Sequence, residues 1–142
     1  MSGVPGARGH TVVEHTADSA IEAWAEELAG LFEECAEAMF ELMYRPNTPS
    51  PAPDIAVEAT GDTTEDLLVA WLSELLYVAE VDDLALCAFV VDAMAPGRVE
   101  GTAAGLPAAA VSPSGPPIKA VTYHGLDITH DGSWRARVIF DV

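Results

Sequence analysis

Positive charge is what this chain has least of. Six lysine and arginine residues stand against 23 acidic ones, a formal net charge of −17, and Lys119 is the sole lysine. A protein that grips nucleic acid must replace counterions along the phosphates with a basic surface. This sequence has no large basic surface to offer, which argues against tight direct binding of RNA or DNA and against adhesion to an anionic membrane. Cations and basic protein surfaces are the natural partners of such a charge, although solubility alone accounts for most of the acids.

Cysteine is scarce as well. Cys35 and Cys87 are too few and too far apart for a metal or redox motif, and both fall in apolar surroundings, one on a helical stripe and one in a strand. Core packing is the role such cysteines usually have. Long hydrophobic runs are absent: nothing approaches the roughly 18 apolar residues of a membrane span. The opening Met1–Gly9 stretch has no apolar signal core, so the expected location is cytoplasmic. Also missing are a GxGxxG or GxxxxGK[ST] phosphate loop, a Gly-x-Ser-x-Gly elbow, CxxC pairs and His-Glu-x-x-His spacing among His10, His15, His124 and His130. The common catalytic templates therefore fail.

What is present is an ordinary core. Half the residues are apolar, and a chain of this length buries roughly 68% of its unfolded surface without needing disulfides. One domain is expected over residues 12–142, after a flexible Gly-rich lead at 1–11. Alternation at Ile21, Ala23 and Ala25 predicts a strand ending near Ala25. Leu28, Leu31, Phe32, Cys35, Met39, Leu42 and Met43 recur at three- and four-residue spacing and predict a helix, with Glu33, Glu34, Glu37 and Glu41 on its other faces. It should stop by Tyr44, because Pro46 disfavours a helical residue before it.

Four prolines make 46–53 a loop. A short strand follows at Ile55–Ala59. Asp62 with Glu65 resembles a capping box that opens a second helix, buried through Leu67, Leu68, Trp71, Leu72, Leu75, Leu76 and Ala79. Beyond residue 84 the pattern is all strand: Leu84–Val91, a Pro96-Gly97 turn, Arg98–Ala104, a mobile loop at 105–117, Ile118–Thr129, an Asp131-Gly132 hairpin, and Trp134–Val142. In that last strand Arg135, Arg137, Ile139 and Asp141 share one face, and Trp134, Ala136, Val138 and Phe140 the other. The order β-α-β-α-β-β-β-β predicts an α+β fold, two helices packed against largely antiparallel sheet.

Three polar segments stand out from this background: His15-Thr16-Ala17-Asp18, Lys119-Ala120-Val121-Thr122-Tyr123-His124 and the closing Asp141-Val142. Hard cations such as Mg²⁺ and Ca²⁺ take oxygen ligands. Asp18, Asp141 and the α-carboxylate of Val142, where the chain ends there, would supply three anionic groups whose repulsion a cation relieves. The plainer alternative makes Asp18 a turn cap, Asp141 a solvated residue, Lys119 an exposed strand residue, and His15 and His124 structural.

Four pieces in register resemble the archease family: His15-Thr16-Ala17-Asp18 with Ile21-Glu22-Ala23-Trp24, the run from Leu67 to Tyr77, the run from Ile118 to Leu126, and Trp134 to Val142. The resemblance covers residues 12–142 and implies an archease-type fold. It implies a non-catalytic accessory protein of RtcB-type RNA ligases in tRNA splicing and RNA repair, which promotes guanylylation of the ligase and its multiple turnover. It also implies a divalent-cation site, Ca²⁺ first with Mg²⁺ or Mn²⁺ as alternatives, held by Asp18, Asp141 and Val142. Lys119 would act in activation, and His15 and His124 would contact the partner. Two rival readings are a general chaperone-like module for RNA-modifying proteins and a small metal-dependent hydrolase using Asp18 and Asp141. Two departures from the family pattern are the uncharged 106–117 loop and Ser19-Ala20 where Val-Gly is commoner.

Overall fold

The computed structural model describes residues 8–14 and 18–142. In it the first expected strand is a hairpin: β1 (Gly9–Glu14) pairs antiparallel with β2 (Asp18–Ala25), Val12 opposite Ile21. Residues 9–11, expected in a flexible lead, are part of β1, which packs on the first helix, α1 (Leu28–Glu41). Helix α1 buries Leu31, Phe32, Cys35 and Met39 as its spacing predicts. It ends at Glu41, inside the expected limit of Tyr44, and Tyr44–Arg45 (β3) are drawn into a ladder with a later segment.

After the 46–53 loop come β4 (Ile55–Thr60) and α2 (Thr64–Asp82). The cap of α2 is Thr63, one residue beyond the expected Asp62. Its side-chain oxygen accepts the Asp66 N–H at 3.0 Å, and its backbone is extended. Glu65 and Asp66 occupy the first turn, where negative charge complements the helix dipole. Removing the cap in Thr63→Ala should cost about 1 kcal/mol, read from the urea midpoint. An unchanged midpoint would mean that solvent satisfies the Asp66 N–H equally well.

Strands β5 (Leu84–Ala95) and β6 (Arg98–Pro107) form a long hairpin, with β6 central in a β4-β6-β5 sheet. The expected mobile loop at 105–117 is instead tied down. Strand β7 (Ser112–Pro113) pairs with β3, and Ser114 donates its N–H to Met43 O (2.8 Å) and its hydroxyl to Glu41 O (2.8 Å). Val111 and Ile118 are buried.

The expected strand at 118–129 is broken in two, β8 (Ala120–Val121) and β9 (Asp127–Asp131). Both lie on the same edge of β10 (Ser133–Asp141), separated by a loop in which Gly125 has φ +67°. Thr122 closes the first piece, its N–H and hydroxyl both donating to Ile139 O. The larger sheet runs β1-β2-β10-β8, with β9 also on β10, and every pairing among the described residues is antiparallel.

Helix α1 lies against β2 of the larger sheet and β5 of the smaller one, so the core sits between the two sheets with α1 inside it. Trp71 of α2 is fully buried there and donates its indole N–H to Phe32 O at 3.2 Å. The α+β architecture of two helices on antiparallel sheet is therefore as expected. Among the described residues no helix is long and apolar enough to cross a membrane.

Candidate functional site

Strand β10 shows why the three polar segments meet. Its inward face, Ala136, Val138 and Phe140, is buried, which fixes its register because a one-residue slip would turn that face to water. β10 pairs with β2 on one side, and the pairing ends with Asp141 opposite Asp18. On the other side Asp141 is opposite Ala120, and Lys119 donates its N–H to the Asp141 carbonyl at 2.7 Å. The start of β2, the end of β10 and the start of β8 thus converge at one end of one sheet. Val142 follows directly, its side chain packed against the core, so only its main-chain oxygens are available to a metal.

Asp141 and Lys119 are exposed. Neither joins an ion pair among the described residues. His15 lies outside the described residues. His124 is exposed in the loop between β8 and β9, where the chain has left the ladder. The adjacent Tyr123 ties that loop to α2, its hydroxyl donating to Asp66 Oδ1 at 2.8 Å.

Oxygen donors at Asp141 and at the opposed Asp18 position are of the type a hard cation takes. Residues directly opposed in an antiparallel ladder are destabilised when their charges are alike, and the register opposes two aspartates here. Among the described residues no three His, Cys, Asp or Glu side chains surround a common point suited to a metal ion. The case for a cation rests on the register and not on a preformed cage.

A second polar cluster escaped the sequence reading. Glu34, expected on an outer face of α1, is buried at 8% exposure and accepts from Arg8 Nε at 2.6 Å. Arg8 Nη2 donates to Glu33 at 3.0 Å. His10 sits between two carboxylates, Nδ1 at 2.8 Å from Glu34 and Nε2 at 2.7 Å from Glu41. Burial by itself would lower the His10 pKa, but the hydrogen bonds and charges of Glu34 and Glu41 outweigh it and raise the pKa above 6.5. Glu33 also accepts the Val91 N–H at 2.8 Å, beside an irregularity in the β5–β6 ladder. The available signal was the seven-residue spacing of Glu34 and Glu41, two turns apart on one helix edge.

The cysteines are structural. Cys35 is fully buried and burial pushes its thiol pKa far up; Cys87, half-buried in β5, is shifted the same way by burial.

The family model for the Archease protein family matches residues 10–142. The chain is 33% identical over 138 residues to protein archease of Methanopyrus kandleri, covering 92% of this chain and 96% of that one. It is 37% identical over 140 residues to protein archease of Methanosarcina acetivorans, covering 92% and 93%. The solution structure of Methanobacterium thermoautotrophicum protein 1598 superposes with a TM-score of 0.74 at 31% sequence identity, covering 94% of this chain and 99% of that one.

Proposed function

Because the chain belongs to the archease family, we propose that it is a non-catalytic, divalent-cation-binding accessory protein of an RtcB-type RNA ligase. It promotes guanylylation of the ligase and its repeated turnover in tRNA splicing or RNA repair. The observation that carries this reading is the register that sets Asp18 opposite Asp141 and draws Lys119 alongside.

Asp18, Asp141 and the main-chain oxygens of Val142 would hold the cation, Ca²⁺ in the first instance, with Mg²⁺ or Mn²⁺ as alternatives. The cation neutralises the opposed carboxylates. Lys119 adds one positive group, on a flexible stem, to an otherwise acidic end of the sheet. At net charge −17 the protein is attracted to basic clefts, such as a ligase needs for RNA and GTP, and competes poorly for RNA itself. To shift the ligase toward its guanylylation-ready state, this end of the molecule must bind that state more tightly than the spent one. His15 and His124 flank the group in sequence and are assigned to partner contact.

The test is multiple-turnover RNA ligation by the cognate ligase, with and without this protein. Wild type should stimulate. Asp18→Ala and Asp141→Ala should not, while keeping wild-type circular dichroism and losing Ca²⁺ binding by calorimetry. Full stimulation by both variants would remove the carboxylates from the mechanism, and no stimulation by wild type with an active ligase would defeat the accessory role.

A further inference from the structure

The fully buried positions of α2 end at Leu75. Leu76 and Ala79, expected on the buried face, are only half-buried at the margin of the core, and no residue from Leu76 to Asp82 is fully buried. Yet Leu76, Val78, Ala79 and Val81 in that stretch are apolar. One side of these turns faces a groove of about 520 Å³. The groove is also lined by Phe40 at the end of α1, by Met43 just beyond that helix, and by Ile118. That volume falls within the roughly 300–1,000 Å³ of pockets that hold small molecules, and a large apolar side chain needs less.

The lip has a definite charge. Glu80 and Asp83 border the groove on the α2 side and Lys119 on the other. Glu80 and Asp83 are exposed and in no ion pair among the described residues. Lys119 is the residue whose N–H holds the Asp141 carbonyl, so the groove continues into the end of the larger sheet where the candidate cation site lies.

We propose that this groove is a docking slot for a protein segment presenting an apolar anchor flanked by lysine or arginine. The anchor fills the slot between Leu76, Ala79 and Ile118, and the flanking cations meet Glu80 and Asp83. A buried anchor surrounded by a complementary polar rim is the arrangement in which a few residues supply most of the binding energy. Choosing the RtcB-type ligase as owner of that segment rests on the function proposed above; the slot itself does not.

The first experiment titrates the full ¹⁵N-labelled chain with a short amphipathic peptide of lysine and leucine at helical spacing, and with a scrambled peptide of the same composition. The patterned peptide should shift the amides of Leu76, Ala79 and Ile118 and bind more tightly than its scramble. Ala79→Lys places a cation in the mouth of the slot, at a position already partly open to solvent, and should weaken binding at least about tenfold. Leu76→Gln should act in the same direction without adding charge. Tyr77→Ala, 61% exposed and outside the slot, should change nothing. Shifts spread over the acidic surface, equal for both peptides, or full affinity in Ala79→Lys and Leu76→Gln with native circular dichroism, would overturn the proposal.

The second experiment measures binding to the purified ligase. Ala79→Lys should lose at least about tenfold in ligase affinity while still binding Ca²⁺. Ligase binding unaffected by Ala79→Lys would overturn the slot and leave the accessory reading standing. No ligase binding by wild type, with the peptide result intact, would overturn the accessory reading and leave the slot.

Discussion

Trp71→Ala is expected to lower the unfolding free energy by about 3–5 kcal/mol, a fifth or more of the roughly 5–15 kcal/mol usual for a domain. The indole is fully buried, and its N–H satisfies the Phe32 carbonyl at 3.2 Å. Truncation therefore opens a cavity and leaves a helix carbonyl short of a donor. The ring lies directly over Gly101 of the central strand β6: a Cβ added there would stand 2.8 Å from Trp71 Cη2 and 2.3 Å from the Val90 carbonyl oxygen.

Gly101→Ala should accordingly be severe in its own right, at or above the upper end of the roughly 1–3 kcal/mol typical of overpacking. The Val90 oxygen belongs to the β5–β6 ladder and cannot yield without disturbing it. The double variant sharpens the test. Removing the indole relieves only the side-chain contact, so Trp71→Ala with Gly101→Ala should be less stable than either single variant. Urea unfolding followed by circular dichroism reads all three. A loss under about 1 kcal/mol for Trp71→Ala would mean that the core collapses into the vacated space.

The parts of this fold that were legible in the sequence are those written in short-range periodicity. The stripe through Leu31, Phe32, Cys35 and Met39, the stripe through Leu67, Trp71 and Leu75, and the alternation of Ala136, Val138 and Phe140 each fall on a buried face. What was not legible depends on distant partners. Thr11, Val12 and Val13 are β-branched strand formers, but the strand's reach back to Gly9 depends on its ladder with β2 and on Arg8 and His10, which reach residues of α1 more than twenty positions away. The 118–129 segment reads as one strand, and it breaks because Thr122 spends both of its donors on Ile139 O and Tyr123 is held by α2. The 105–117 stretch is rich in proline and small residues, which predicts mobility. Its anchors, however, are main-chain groups at the end of α1, and composition does not encode those.

The same division holds at the candidate site. Asp18, Lys119 and Asp141 were nameable from their unusual placement and from the family resemblance. Their meeting at one sheet end follows from the β2–β10 register, a pairing of residues over a hundred positions apart, which is set by the burial of whole faces and not by the polar residues themselves. Glu34 shows the converse failure. A glutamate on an amphipathic helix is assigned to solvent by default, and here β1 supplies His10, and the residue before it Arg8, to receive it.

That clasp carries the second large effect. Glu34→Ala is expected to cost about 3 kcal/mol, the lower end of the range for breaking a buried pair, because the Arg8 side chain is 42% exposed and solvent softens its loss. His10 gives the clasp a pH dependence of known sign. Doubly protonated, it donates to Glu34 and Glu41 at once, with Arg8 on the far side of Glu34. Its pKa is raised on folding, so its contribution is complete below its unfolded value of about 6.5. That contribution declines as pH rises through the higher folded value, since there the unfolded chain has already released the proton that the folded one keeps. The thermal midpoint of wild type should therefore fall between mildly acidic and mildly alkaline pH by more than that of His10→Gln, which cannot gain the charge. Glu34→Ala should flatten the profile as well as lower it, because it removes the carboxylate at Nδ1. Parallel pH profiles for wild type and His10→Gln would show that His10 is not the titrating group.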